Sequence, residues 1–159
     1  MSIKGKILLL LVAGLGASPA LGEQDKLFEG VWVSNAEFCP LMEEIGTRAI
    51  FGNDIAIITM EGGFVGFEFY CDFNEFAYGA DGKSVLISAT CGDSSEDFEE
   101  SIYLNLYGGN GADNQMRFEF NSPYITGRDG PERGEEDSRF LFSRCDNLTE
   151  TMLVERSEP

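Results

Sequence analysis

The sequence has no histidine and one tryptophan, and only 11 lysines and arginines stand against 28 aspartates and glutamates. Without histidine, the commonest general base and the commonest metal ligand are missing. No Ser-His-Asp or Cys-His arrangement can be built. A formal net charge of −17 leaves no basic face for phosphates, so nucleic-acid partners are excluded. The four cysteines include no C-x-x-C pair, which speaks against a zinc site. No glycine-rich phosphate loop opens a helix, because Gly108-Gly109-Asn110-Gly111 falls between strand candidates. A glycosidase can work with two carboxylates, but among this many acids some such pair is inevitable and carries no signal. The expectation is a protein that is not an enzyme and has no cofactor. What is present, 43% hydrophobic and 12% aromatic residues in 159, fits one globular domain with a real core.

Residues 1–22 read as a secretory signal. Lys4 and Lys6 precede an apolar run from Ile7 to Leu15, too short for a stable membrane span. Ala20-Leu21-Gly22 offers small residues for cleavage after Gly22, with Ala20 the alternative site. The mature chain, 23–159, keeps every acid and all four cysteines but loses two lysines. No cysteine sits at the cleavage point to carry a lipid, so no stable membrane anchor is expected. An even cysteine count in an exported chain points to two disulfides and to the periplasm or the medium.

Period-two alternation marks half-buried strands along most of the chain. The runs are Val65 to Phe73, Val85 to Cys91, Ile102 to Leu106, Met116 to Phe120 and Phe140 to Phe142, with earlier candidates at Gly30 to Ser34, Arg48 to Phe51 and Ile55 to Met60. Turn sequences separate them: Gly52-Asn53-Asp54, Glu61-Gly62-Gly63, Gly79-Ala80-Asp81-Gly82 and the Gly108 cluster. Short connections favour hairpins over crossover helices. The spacing predicts an all-β, antiparallel meander barrel of seven or eight strands, with a β-sandwich as the alternative. Helix is confined to short segments near Pro40 to Thr47 and Leu148 to Arg156. Residues 122–138, rich in glycine and charge, read as a long loop between two strands.

Asp81 lies ten residues from both Cys71 and Cys91. A hairpin turning there sets the two cysteines opposite each other on the inward parity, which predicts a Cys71–Cys91 bridge. Cys39 then pairs with Cys145, near the two ends of the domain, as neighbouring first and last strands of a barrel allow.

Asp93, Glu96, Asp97, Glu99 and Glu100 place five carboxylates in eight residues, and Glu135 and Glu136 add a second cluster. Neither run matches an EF-hand; acidic runs are usually solvated, and calcium is the one cation they could hold. Phe64, Tyr70 and Phe76 fall on one parity of their run and Tyr103 and Tyr107 on the outward parity of another. They predict either an exposed aromatic interaction patch or a second face covered by loops.

Gly30-Val31-Trp32 resembles the G-x-W start of lipocalin-like barrels, in which the tryptophan closes one end. That resemblance implies a small apolar ligand near Trp32, although the many inward phenylalanines suggest a filled interior. In size, acidity and expected barrel form the chain is also similar to periplasmic lysozyme inhibitors, but their Ser-Gly-x-x-Tyr type loop is absent and no inhibitory residue carries over. The leading expectation is an exported acidic binding protein, an inhibitor or immunity-type partner of a basic periplasmic or secreted enzyme. Reversing Glu99 and Glu100, or Glu135 and Glu136, to lysine is then expected to weaken binding. The alternatives are a carrier of a small apolar ligand and a calcium-binding exported protein.

Overall fold

A computed structural model describes residues 26–93, 95–107, 114–120 and 139–157. The segments expected as a signal (1–22), a turn (Gly108 to Gly111) and a long loop (122–138) lie outside the described residues. Eight strands follow one another: β1 Trp32–Val33, β2 Ile57–Thr59, β3 Gly63–Val65, β4 Tyr70–Tyr78, β5 Ser84–Gly92, β6 Asp97–Tyr107, β7 Gln115–Phe120 and β8 Arg139–Arg144. Each pairs antiparallel with the next, and β8 returns to β1 through Trp32↔Arg144 and Val33↔Ser143. The result is the closed meander barrel, not the sandwich.

Alternation does the folding in the long strands. Val85, Ile87, Ala89 and Cys91 are buried while Leu86 and Ser88 face water, and Ile102, Leu104 and Leu106 answer them across β6. Met116, Phe118 and Phe142 complete the interior with Phe64 and Trp32. The β4–β5 turn is closed by Asp81, whose carboxylate accepts from Lys83 N at 3.0 Å and from Ser84 Oγ at 2.9 Å. These bonds hold the Asp81 carboxyl below its ordinary pKa, with the Lys83 amide the largest cause. The turn brings Cys71 directly opposite Cys91, and the two are bonded.

β1 and β2 are buried on both faces. Trp32 and Ile58 point inward, whereas Val31, Val33 and Ile57 point out beneath two helices, α1 (Cys39–Ile45) and α2 (Glu150–Ser157), with Met42, Leu148 and Leu153 in this second core. Pro40 sits in the first turn of α1, where no N–H is needed, and Gly46 at φ +62° ends it. Cys39 bonds to Cys145, tying this outer layer to the end of β8. All four cysteines are oxidised, which is compatible with an oxidising, exported environment.

Three segments depart from the alternation pattern. Arg48 to Phe51, expected as a strand, lies mostly in a 3-10 turn over Gly46–Ile50 that packs beneath α1, with Ala49 and Ile50 buried in the outer core. Val65 to Phe73 is not one strand: a tight bend through Gly66 and Glu68, at φ +63°, splits it into β3 and the start of β4. Side-chain parity resets across that bend, so Phe64 lies inside the barrel beside Phe69, Phe118, Phe120 and Phe142, not in an exposed patch. β6 begins five residues earlier than Ile102, so half of the acidic run is strand.

Candidate binding site: an acidic aperture in the barrel wall

β3 covers only the first two residues of β4, through Val65↔Tyr70 and Phe64↔Cys71. At Gly63, φ +72°, a side chain would collide with the Cys71 carbonyl, so the approach is closest there. The chain then leaves through the turn Met60–Gly62, while β4 runs on to Tyr78 paired with β5 alone. A register shift at Asn74 places Phe76 and Tyr78 opposite Ile87 and Val85, whose side chains are interior. Phe76 is nevertheless 38% exposed. Among the described residues no second strand pairs with β4 beside it, and the opening forms a cleft of about 780 Å³.

Phe76, Tyr78 and Met60 give this cleft its apolar side, and Glu29, Glu61, Asp146 and Glu150 surround it with carboxylates. Lys26 and Arg144 are its two cations. Arg144 is engaged: its guanidinium lies 5.5 Å over the Trp32 ring and 3.6 Å from the Asp146 carboxylate. Trp32 in turn donates from Nε1 to the Phe28 carbonyl at 2.9 Å, and the Phe28 ring meets Tyr78 at 6.0 Å. One end of the cleft is thereby fixed to the barrel interior. The opposite edge is fixed by Glu150, the first residue of α2, which accepts from Met60 N at 3.0 Å. Burial pushes the Glu150 carboxyl up, and the amides of Met60 and Glu61 oppose that shift. A smaller cleft of about 450 Å³ lies on the other side of Glu150, between α2 and the β2–β3 hairpin.

The described carboxylates among those singled out from sequence, Asp93 to Glu100, point to different faces. Asp93 closes its own turn, accepting from Ser95 N at 2.7 Å and Ser95 Oγ at 2.6 Å, and the serine hydroxyl holds its carboxyl low. Glu96 is exposed. Asp97 accepts from the Tyr70 hydroxyl at 2.5 Å, a bond that raises the tyrosine pKa, and Glu99 accepts from Thr90 Oγ1 at 3.1 Å. Glu100 faces the other way. It is 4% exposed on the inward parity of β6, so it is not part of a surface patch, and reversing it would bury a cation in the barrel. Strand parity, which the sequence reading stopped at Ile102, sends neighbouring acids to opposite faces. Glu135 and Glu136 lie outside the described residues. Trp32 is 0% exposed in the inner core and lines neither of the described clefts. Among the described residues no group of three or more cysteines or acids converges as metal ligands. Tyr70, Phe76, Tyr103 and Tyr107 are exposed, and of these Phe76 lines one of the two described clefts.

The sequence reading missed Glu29, Glu61 and Asp146, which stand singly between elements, and Glu150, which opens α2. The available signal was the doublet Gly62-Gly63 with Gly66 three residues on, which confines β3 to three residues beside a nine-residue β4. No family model matches the chain, and no curated protein or solved structure is similar to it.

Proposed function

We propose that this chain is an exported acidic binding protein that docks on a basic protein, as an inhibitor or immunity-type partner of a periplasmic or secreted enzyme. The observation that supports this reading is the aperture itself: the exposed ring of Phe76 and the half-buried ring of Tyr78, set among the carboxylates of Glu29, Glu61, Asp146 and Glu150. Aromatic surface with an anionic rim suits lysine and arginine side chains, whose apolar stems and charged heads need both. The overall excess of acids attracts such a partner from a distance, and the rim orients it on arrival. The signal-like leader supports export, with the periplasm or the medium as the destination. A carrier of a small apolar ligand is less well supported, because Phe118, Phe142 and Trp32 line neither described cleft.

The test uses the oxidised chain 23–159, immobilised in low salt and exposed to periplasmic and secreted protein. A single basic enzyme released at moderate salt is expected. Its association rate with the free chain should fall about tenfold or more between low and physiological salt. Retention of acidic proteins, or a salt-independent rate, contradicts the proposal.

A further inference from the structure

The aperture exposes backbone as well as side chains. Among the described residues, β5 is the one strand that pairs with Phe73–Ala77. Alternate residues of this stretch therefore turn N–H and C=O groups toward the opening, along about 17 Å of edge at strand spacing. Inside the edge lie Phe76 and, beyond it, Met60; on the outer face of the same strand Asp72 and Glu75 are exposed opposite Thr90 and Ser88. We propose that the aperture is a strand-addition site, and that its occupant is an extended segment of the basic partner that pairs with β4. This rests on the reading of a basic partner and adds how the partner is held.

The two faces of β4 specify the segment. An added strand alternates its side chains between the barrel interior and the solvent face. Its inward residues meet Phe76 and Met60 and must be apolar. Its outward residues meet Asp72 and Glu75, with Glu61 and Glu150 at the far rim, and must be lysine or arginine. A second copy of this chain does not fit, since its own edge would set Asp72 and Glu75 against the same acids. The register shift at Asn74 concentrates the pairing on the Glu75–Ala77 half, beside the cleft. Backbone hydrogen bonds supply affinity and the alternating side chains supply selectivity.

The probe is the capped hexapeptide Lys-Val-Lys-Val-Lys-Val with the oxidised chain 23–159. Bound peptide is expected to protect the β4 amides that do not bond to β5 against hydrogen exchange. Methylating the peptide nitrogens of one alternation should weaken binding about tenfold or more, while methylating the other alternation changes it little, because only one set of N–H groups faces β4. Charge is identical in both methylated peptides, so electrostatic attraction alone cannot produce the difference. Equal effects of the two methylation patterns, or β4 amides that stay unprotected, overturn strand addition; if a basic enzyme is still captured, the basic-partner reading stands without it. If neither the peptide nor any basic protein binds, both fall.

Discussion

Glu100 shows what a single residue's parity decides. Its Oε1 accepts from Ser101 N at 2.8 Å, and its Oε2 is buried with no hydrogen-bond partner among the described residues. An unpartnered buried carboxyl oxygen is destabilising, so Glu100→Met is expected to raise stability by about 1–3 kcal/mol, read as a higher urea midpoint. A lower midpoint would mean the carboxyl has a partner in solution. Asp81 and Asp93 act in the opposite sense. Both are held below the ordinary value of 3.8 by hydrogen bonds in their turns. Their folded pKa lies below the unfolded one, so their contribution is present above about pH 3.8 and is lost as pH falls through the lowered values. Carbon-13 titration of the carboxyls should give midpoints below 3.8 for both; midpoints at or above it would contradict the turn geometry. Asp81 was legible in the sequence because a turn announces itself by composition. Glu100 was not, because charged neighbours hide the alternation that carries it inward.

At the scale of elements, the β4–β5 hairpin was readable from one midpoint and one parity, and Cys71↔Cys91 follows from both. The run 65–73 was not readable as two strands, since a three-residue β3 leaves too little alternation to reveal a bend. Arg48 to Ile50 carries apolar residues close together, and only the covering layer of α1 decides that they wind as a 3-10 turn. The two bridges close loops of very different length, with separations of 20 and 106 residues. Replacing Cys71 and Cys91 together by serine should cost about 3 kcal/mol, and replacing Cys39 and Cys145 about 5, if loop entropy of the unfolded chain governs. Urea unfolding of the two double variants checks the order. A larger loss for the short loop would show that native packing around Cys71 and Cys91 dominates instead.

For the whole molecule, the barrel and its charge were legible, and the site was not. Composition carries the excess of acids directly, and hairpin spacing carries the closed meander. The aperture depends on a mismatch between a short β3 and a long β4, and on acids that only the closed barrel brings together around Phe76. A net charge of −17 attracts any basic protein; in the proposed function the aperture gives that attraction a place. Local and global charge can be separated by two variants of equal net charge. Glu29→Lys with Glu61→Lys reverses the rim, whereas Glu37→Lys with Glu44→Lys reverses two exposed acids that do not line the cleft. The most direct measurement is the affinity of the captured basic partner for both, at one fixed salt concentration. The rim variant is expected to bind about tenfold or more weaker than the control variant. Equal affinities for the two would contradict the account, because the partner would then be reading net charge and not the aperture.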